Sequence, residues 1–177
     1  MRFLPFILLL LISFTSCKSS KLATKNSRET ISKTHRSKKN KKTYDTSPKS
    51  VKAEKIVNYA QQFQGVRYKY GGTTKKGMDC SGLIQTSYKS EAVLLPRTTN
   101  DLAKSGNWVD LKEVKKGDLL FFATKKNSRK VNHVGIVTDV NKDDVEFIHA
   151  STSKGVMTSK LIERYWYFAF VQARRVL

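Results

Sequence analysis

The sequence predicts an α+β domain in which helices come first and antiparallel strands follow. Apolar residues between 50 and 106 recur at helical spacing. Four later segments are instead rich in Val, Ile and Phe and are separated by clusters of Gly, Asn, Asp and Lys, which is typical of strands. Helices and strands that are segregated along a chain indicate an α+β fold rather than alternating βαβ units.

The helical half begins where Ser50 is predicted to cap a helix that runs to about residue 63 and is followed by Gly65. Its inward stripe is predicted to contain Ile56, Val57, Ala60 and Phe63. A turn over residues 68–72 precedes a second helix at about 81–92. Thr98 and Asp101 have capping-box spacing for a short third helix that ends by Gly106.

The strand half contains four predicted strands and one hairpin turn. The turn is predicted at residues 141–144, and the strands at residues 118–123, 132–140, 145–151 and 167–176. Along the second strand, His133, Gly135 and Val137 share one face, whereas Val134 and Ile136 share the other. We expect Gly135, which has no side chain, to leave space for a substrate beside His133.

Charge divides the 177 residues into a tail and one domain. Residues 18–52 carry 12 basic and 2 acidic side chains and too few apolar ones to bury a core. Residues 53–177 hold most of the aromatic residues and are long enough for one hydrophobic core. We therefore place the folded domain at 53–177.

Residues 1–16 are predicted to be a lipoprotein signal peptide. Arg2 precedes an apolar run over 3–14, and that run is shorter than the ~20 residues that span a membrane. It ends in small residues immediately before Cys17, which resembles the bacterial lipobox, in which the cysteine is lipidated. An ordinary signal peptide with an incidental cysteine is the alternative.

Residues 17–52 then form a lipidated, basic and flexible tether dominated by Ser, Thr, Lys and Asn. Behind an export signal, we expect this basic run to meet anionic lipid headgroups and the carboxylates and phosphates of an envelope, and not nucleic acid. A solvated spacer without a specific partner is the alternative.

One cysteine and two histidines carry the chemistry of the domain. Cys80 is predicted where a loop enters a helix, and the partial positive charge of a helix N-terminus lowers the pKa of a thiol. Gly82 is expected to keep the approach to that sulfur open. The predicted hairpin places His133 roughly opposite His149, so that one imidazole accepts the thiol proton and the second holds the first in its working tautomer.

Each of these residues also has a structural interpretation. A free cysteine is often a buried small hydrophobic residue, and a strand histidine is often a hydrogen-bonded core residue. A zinc site built from all three is a further alternative, but their wide separations lack a local chelating pair. We predict neither a metal nor a cofactor.

Six segments follow one another along the domain: Tyr68–Gly72, Asp79–Leu83, Leu95–Thr98, Lys116–Phe122, His133–Ile136 and Phe147–Ser151. Together they resemble the successive motifs of the NlpC/P60 family of papain-like cysteine peptidases, which cut bacterial cell-wall peptides. The resemblance covers about residues 53–177, and the lipobox and tether make the whole chain similar to the small, Spr-like lipoprotein endopeptidases of that family.

The resemblance implies a papain-like fold and a role for each matching residue. The nucleophile falls on Cys80, the general base on His133 and the orienting polar residue on His149. The active-site tyrosine falls on Tyr68, whose hydroxyl would help the Cys80 backbone N–H to hold the oxyanion.

Three polar residues beside these motifs have two interpretations each. Asp79 and Ser81 flank the nucleophile and are candidates to contact a substrate ammonium, although Asp79 is equally suited to be a turn or cap residue. Arg97 is a candidate to bind a substrate carboxylate or to make a structural contact near the catalytic helix.

The implied function is a peptidoglycan endopeptidase that acts by a Cys-His-His thiol mechanism. Its substrate would be the D-γ-glutamyl–diaminopimelate bond of a stem peptide or the cross-link between stems. A non-hydrolytic cell-wall binding lipoprotein and a secreted amidase effector are the alternatives. We expect a monomer in the cell envelope, as an outer-membrane lipoprotein that faces the periplasm.

Overall fold

The structure is a computed structural model that describes residues 46–142 and 144–177. The predicted signal peptide, Cys17 and the tether up to residue 45 lie outside the described residues. The predictions made for these segments therefore stay predictions.

The first helix begins earlier than predicted. Helix α1 spans Pro48–Gln61, and its cap is Ser47 rather than Ser50. The Ser47 hydroxyl accepts a hydrogen bond from the Ser50 backbone N–H at 3.3 Å, and Pro48 occupies the first turn, where its missing N–H costs nothing. The folded region thus includes residues 48–52, which the sequence interpretation assigned to the tether.

Helices α2 and α3 are both shorter than expected. Helix α2 spans Cys80–Lys89, and Ala92, its predicted end, has a φ of 58° that a right-handed helix cannot contain. Helix α3 spans Thr99–Leu102 and is capped by Thr98, as the spacing predicted. No helix within 46–142 and 144–177 has the length and apolar character that crossing a membrane requires.

A six-stranded antiparallel sheet follows, together with a small two-stranded hairpin near α2. In the large sheet the strand order is β3-β8-β4-β5-β6-β7. The small hairpin consists of β1, Thr73–Thr74, and β2, Gly77–Met78. The strands of the large sheet are β3 Asn107–Val109, β4 Leu119–Phe122, β5 His133–Asn141, β6 Asp144–Ser151, β7 Gly155–Lys160 and β8 Phe170–Arg175.

The predicted strands at 118–123, 132–140 and 145–151 are confirmed within one residue as β4, β5 and β6. Asn141 pairs with Asp144, which confirms the predicted hairpin. The predicted strand at 167–176 is wrong in its first part, because helix α4, Arg164–Ala169, comes before β8. Trp166 and Ala169, three residues apart, are buried on one side of this helix, and this spacing outweighs the strand propensity of its aromatic residues.

The sheet is buried on both faces. Leu119 and Phe121 of β4 join the core that lies under α1 and α2, whereas Leu120 and Phe122 join a second core with Trp166 of α4. Strand β5 divides in the same way, with Val134 and Ile136 in the first core and Val137 in the second. The predicted alternation along β5 is therefore confirmed.

Candidate active site

Cys80 is the first residue of α2, one position before the predicted start, so it lies at the helix N-terminus as expected. Asp79 caps the helix, because its Oδ1 accepts a hydrogen bond from the Gly82 backbone N–H at 2.7 Å. The cysteine is 8% exposed, and its Sγ lies 3.7 Å from the Thr99 hydroxyl. The motif thus places one nearly buried thiol at a helix N-terminus.

Gly82, in the first turn of α2, packs closely against the preceding loop. A Cβ at Gly82 would collide with the Gly72 carbonyl oxygen and would lie 2.9 Å from Asp79 Oδ1. Gly82 therefore lets the 71–79 loop pack against the first turn of α2. The expectation that it also keeps the approach to the sulfur open stays a prediction.

An ion pair holds the loop around Cys80. Arg97 binds Asp79 through two parallel hydrogen bonds, Nη1 to Oδ1 at 3.0 Å and Nη2 to Oδ2 at 2.7 Å. Arg97 Nη1 also donates to Ser81 Oγ at 2.7 Å, and the Gly71 backbone N–H donates to Asp79 Oδ2 at 2.7 Å. These contacts match the structural interpretation of Asp79 and Arg97, because each charge already has a partner within the protein.

The ion pair keeps the carboxylate ionised. Burial of Asp79 acts to raise its pKa, but the hydrogen bonds from Arg97, Gly82 and Gly71 outweigh burial and leave the pKa below its ordinary value. The Asp79 side chain is 7% exposed and that of Arg97 is 35% exposed. A fixed negative charge therefore lies next to the thiol.

The two histidines meet as the sequence predicted, but not directly across the hairpin. His133 Nε2 lies 3.0 Å from His149 Nδ1, and both residues are buried. Ile136 pairs with Ile148, so in this register His149 falls beside Gly135 rather than His133. The histidines are thus diagonal neighbours on one face of the sheet.

Gly135 makes that diagonal contact possible. A Cβ on Gly135 would lie 2.6 Å from Phe147 Cδ2 and 3.3 Å from His149 Cβ. The space beside His133 is therefore filled by β6 side chains, and the prediction that it receives substrate is wrong.

The sequence interpretation missed two residues that contact the histidine pair. Ser159 Oγ lies 3.1 Å from His149 Nε2. The Trp166 ring stacks on His133 with centroids 5.5 Å apart and lies edge-on to His149 at 4.6 Å. Ser159 lies on β7, which was not predicted, and Trp166 lies on α4, immediately before the segment assigned to a strand.

The Cys80 thiol and the His133 imidazole are not hydrogen-bonded to each other. Cys80 Sγ instead contacts Thr99 Oγ1 and the backbone N–H of Val134, the residue that follows His133. His133 Nδ1 has no hydrogen-bond partner among residues 46–142 and 144–177. The thiol therefore lies beside the β5 backbone next to His133, and the nitrogen of His133 that does not bond His149 is free.

Burial keeps the Cys80 thiol and the imidazoles of His133 and His149 neutral at pH 7. It raises the pKa of the Cys80 thiol, and the Asp79 charge adds to this effect. It lowers the pKa of His133 to about 4, and together with the neighbouring His133 it lowers that of His149 to about 3. The expected lowering of the thiol pKa is thus wrong, because desolvation outweighs the hydrogen bonds that favour the thiolate.

A surface groove of about 690 Å³ opens at Cys80. Tyr68, Arg97 and Thr99 are among its lining residues, and Lys125 and Lys130 add positive charge to it. Burial and the nearby Cys80 raise the pKa of the Tyr68 hydroxyl, so this group is a neutral donor at pH 7. Within the described part of the chain, no cluster of three or more His, Cys, Asp or Glu side chains is arranged to hold a metal ion.

An α+β domain with a cysteine at a helix N-terminus, next to a strand that carries a hydrogen-bonded histidine pair, brings together the residue types that thiol hydrolases use. The sequence comparison is more specific. The chain belongs to the NlpC/P60 family, whose family model matches residues 65–175.

Known relatives agree with this assignment. The chain is 42% identical over 123 residues, 69% of its own length, to "Probable endopeptidase NlpC homolog" of Haemophilus influenzae. It is 41% identical over 128 residues, 72% of its length, to "Murein DD-endopeptidase MepS/Murein LD-carboxypeptidase" of Escherichia coli strain K12. The matches span 62% and 64% of these two relatives, which is less than two thirds of their length.

A solved structure agrees with the fold. An NlpC/P60 family protein from Bacillus cereus superimposes with a TM-score of 0.64 at 31% identity. The match covers 71% of this chain and 40% of the other. The α+β fold with helices packed on an antiparallel sheet is therefore that of the family.

Proposed function

We propose that this protein is a cysteine endopeptidase that hydrolyses amide bonds in peptidoglycan stem peptides. The observation that carries the proposal is the position of the Cys80 sulfur, at the start of α2 and against the β5 backbone next to His133. Membership of the NlpC/P60 family supports the same activity.

The histidine pair fits a mechanism in which His133, the proposed base, is uncharged before the reaction. For His133 Nδ1 to accept the thiol proton, the proton of the neutral ring must be on Nε2, where it is donated to His149 Nδ1. His149 then orients the ring of His133, which is the role a carboxylate or amide has in related triads. Because the thiol and the imidazole are both neutral at rest, the proton moves from Cys80 to His133 as the sulfur attacks.

The remaining steps use groups at the start of α2. The thiolate adds to the amide carbonyl carbon, and the oxyanion is held by the Cys80 backbone N–H and the Tyr68 hydroxyl. The protonated His133 gives its proton to the leaving amine, which breaks the C–N bond and leaves a thioester on Cys80. His133 then removes a proton from water, which attacks the thioester and releases the acid.

The charge of the groove indicates an anionic substrate. Lys125 and Lys130 line it without an acidic partner among the described residues. The D-γ-glutamyl–diaminopimelate bond and the cross-link between stems both lie close to carboxylates, which these ammonium groups would attract. The proposal therefore covers both bonds.

The direct test incubates the purified protein with defined stem peptides and with cross-linked dimers, and identifies the products by mass spectrometry. We expect cleavage by the wild type and none by Cys80→Ala with an unchanged circular dichroism spectrum. The masses of the products also identify the bond. Soluble fragments released by Cys80→Ala would contradict the mechanism.

A second candidate function is peptidoglycan binding without hydrolysis. It is favoured by one observation, the hydrogen bond of Cys80 Sγ to Thr99 in place of His133. The same experiment distinguishes the two functions, because a binding protein would retain the peptides and release no product.

We also propose that Cys17 is lipidated and tethers the domain to the outer membrane, on the periplasmic side. The support is the apolar run before Cys17 and the basic segment after it. Mass spectrometry of the N-terminal peptide from the membrane fraction should show acyl chains on Cys17. Recovery of a Cys17→Ala variant in the same membrane fraction, at the same level, would contradict the tether.

A further inference from the structure

Ser159 extends the histidine pair by one hydrogen bond. It lies on β7, where it pairs with Phe147 of β6, two residues before His149. Its side chain is therefore on the same face as the His149 ring. Ser159 is 4% exposed, and the contact with His149 Nε2 at 3.1 Å is the only hydrogen bond of its hydroxyl within the described residues.

The proton positions along this chain are linked. His133 uses Nδ1 as a base only if its proton is on Nε2 and His149 Nδ1 accepts it. A neutral His149 with a free Nδ1 must carry its own proton on Nε2, where Ser159 Oγ is the acceptor. A hydroxyl is able to accept this hydrogen bond, and the part of the chain that the structure describes offers His149 Nε2 no other partner.

We infer that Ser159 is a positioning residue for the proposed hydrolysis: its Oγ accepts the His149 Nε2 proton and so keeps His133 Nδ1 free to accept the thiol proton. This inference rests on the proposed function. Without the hydroxyl, the Nε2 proton of His149 is buried and unpaired, which is costly. The pair then shifts to the other tautomer, in which His149 Nδ1 donates to His133 Nε2 and the proton of His133 moves to Nδ1.

The test has a kinetic part and a spectroscopic part. We expect Ser159→Ala to lower kcat on stem peptides on the order of 10- to 100-fold with KM unchanged, because one buried hydrogen bond is lost. Ser159→Thr, which keeps a hydroxyl, should restore most of the rate. The ¹⁵N shifts of His149, measured on purified full-length Cys80→Ala protein, should move from the Nε2–H to the Nδ1–H tautomer when Ser159→Ala is added.

Matched controls separate this role from the loss of any buried hydroxyl. Ser87 and Thr138 are buried residues whose hydroxyl oxygen has no hydrogen-bond partner among residues 46–142 and 144–177, so Ser87→Ala and Thr138→Val should leave kcat within two-fold of the wild type. If Ser159→Ala does not fold, Ser159→Cys provides a similar volume with a weaker acceptor.

The outcomes separate the two proposals. A kcat within two-fold of wild type, or an unchanged His149 tautomer, in folded Ser159→Ala would overturn the role of Ser159 and leave the hydrolase intact. A wild type that cleaves no stem peptide would overturn the proposed function, and the tautomer measurement would then show only whether Ser159 sets the tautomer of His149.

A different observation concerns the surface of α4. A groove of about 550 Å³ lies between this helix and the segment after β4, and Lys125, Lys126, Arg164 and Phe168 line it. Phe168 is 67% exposed, and the Arg164 guanidinium carbon lies 6.0 Å from the centre of its ring. Exposed aromatic surface flanked by cations is typical of a binding site.

Lys125 lines both this groove and the one at Cys80, so the two grooves have one lining residue in common. The proposed substrate is a polymer whose sugar strand carries carboxylate-bearing peptides. Aromatic rings pack against the apolar faces of sugar rings, and ammonium and guanidinium groups pair with carboxylates. We therefore propose, on the basis of the proposed function, that the α4 groove binds the glycan strand beyond the peptide that is cut.

The test compares a polymer with a small substrate. In the double variant Phe168→Ser/Lys126→Ser we expect KM for intact peptidoglycan to rise about five- to twenty-fold, and KM for a short soluble stem peptide to stay unchanged. Trp108→Ser is the control, because Trp108 is 61% exposed on β3, and both KM values should stay at wild-type level.

Three results would overturn the α4 site. The first is an equal effect on both substrates, and the second is no effect on either. The third is loss of binding to anionic lipid vesicles with peptidoglycan kinetics intact, which would assign the surface to a membrane. A wild type inactive on both substrates would instead refute the proposed function.

Discussion

The two sides of Cys80 differ in how they are stabilised. On the Arg97 side, an ionised carboxylate is surrounded by donors from a side chain and from the loop backbone. On the His133 side, two neutral imidazoles share one hydrogen bond beneath the Trp166 ring. The charged side fixes the backbone around Cys80, whereas the neutral side holds the histidine that we propose as the base.

The largest effect is expected from removing the carboxylate. Asp79→Ala leaves Arg97 and two backbone N–H groups without their acceptor, so we expect a loss of about 2–4 kcal/mol in unfolding free energy by urea titration. The loss is limited because the Arg97 side chain is 35% exposed and regains water.

An exposed ion pair provides the control for this variant. Glu54 contacts Lys116 at 2.7 Å, and the two side chains are 50% and 37% exposed. Glu54→Ala should therefore cost less than about 1 kcal/mol. Equal losses in the two variants would mean that the Asp79 network does not stabilise the loop.

An effect of similar size, divided between two histidines, is expected from pH, and it tests the neutral side. The folded pKa values of His133 and His149, about 4 and about 3, lie below the ordinary value of 6.5, so the unfolded chain binds more protons below pH 6.5. Stability is therefore full above pH 6.5 and falls as pH decreases towards 4. At pH 5 the loss should be about 2 kcal/mol for each histidine.

Calorimetry of Cys80→Ala at pH 7 and pH 5 measures this loss without interference from the thiol. The prediction requires a lower Tm at pH 5, where most carboxylates are still ionised. An identical Tm at the two pH values would show that the histidines are not buried in the neutral form.

The smallest effect is expected from removing the Thr99 hydroxyl, which contacts the Cys80 sulfur. The Thr99 hydroxyl bonds Cys80 Sγ and favours the thiolate, so Thr99→Val should raise the thiol pKa further. We expect alkylation of Cys80 at pH 7 to slow by about two- to five-fold, which corresponds to one weak hydrogen bond. Asn100→Ala, at a neighbouring position of the same groove, should leave the rate unchanged, and faster alkylation of Thr99→Val would refute this role.

The sequence predicted the elements whose residue pattern extends over several neighbouring positions. Strands β4, β5 and β6 alternate or are uniformly apolar over several residues, and Thr98 caps α3 through a side chain three residues from its partner. Strands β1, β2 and β3 are two or three residues long and have too few positions to show a period. The α4 segment has strong strand propensity and became a helix because Trp166 is buried against the second core.

The features of the candidate site also divide into those that local sequence predicted and those that the tertiary structure decided. The sequence alone placed Cys80 at a helix N-terminus, grouped His133 on one face of β5, and identified the segments that carry the family motifs, because each depends on neighbours a few residues away. The tertiary structure decided that Arg97 binds Asp79, that Ser159 and Trp166 contact the histidines, and that the thiol is neutral. These features depend on residues distant in sequence and on the loss of water at the site, which no local pattern records.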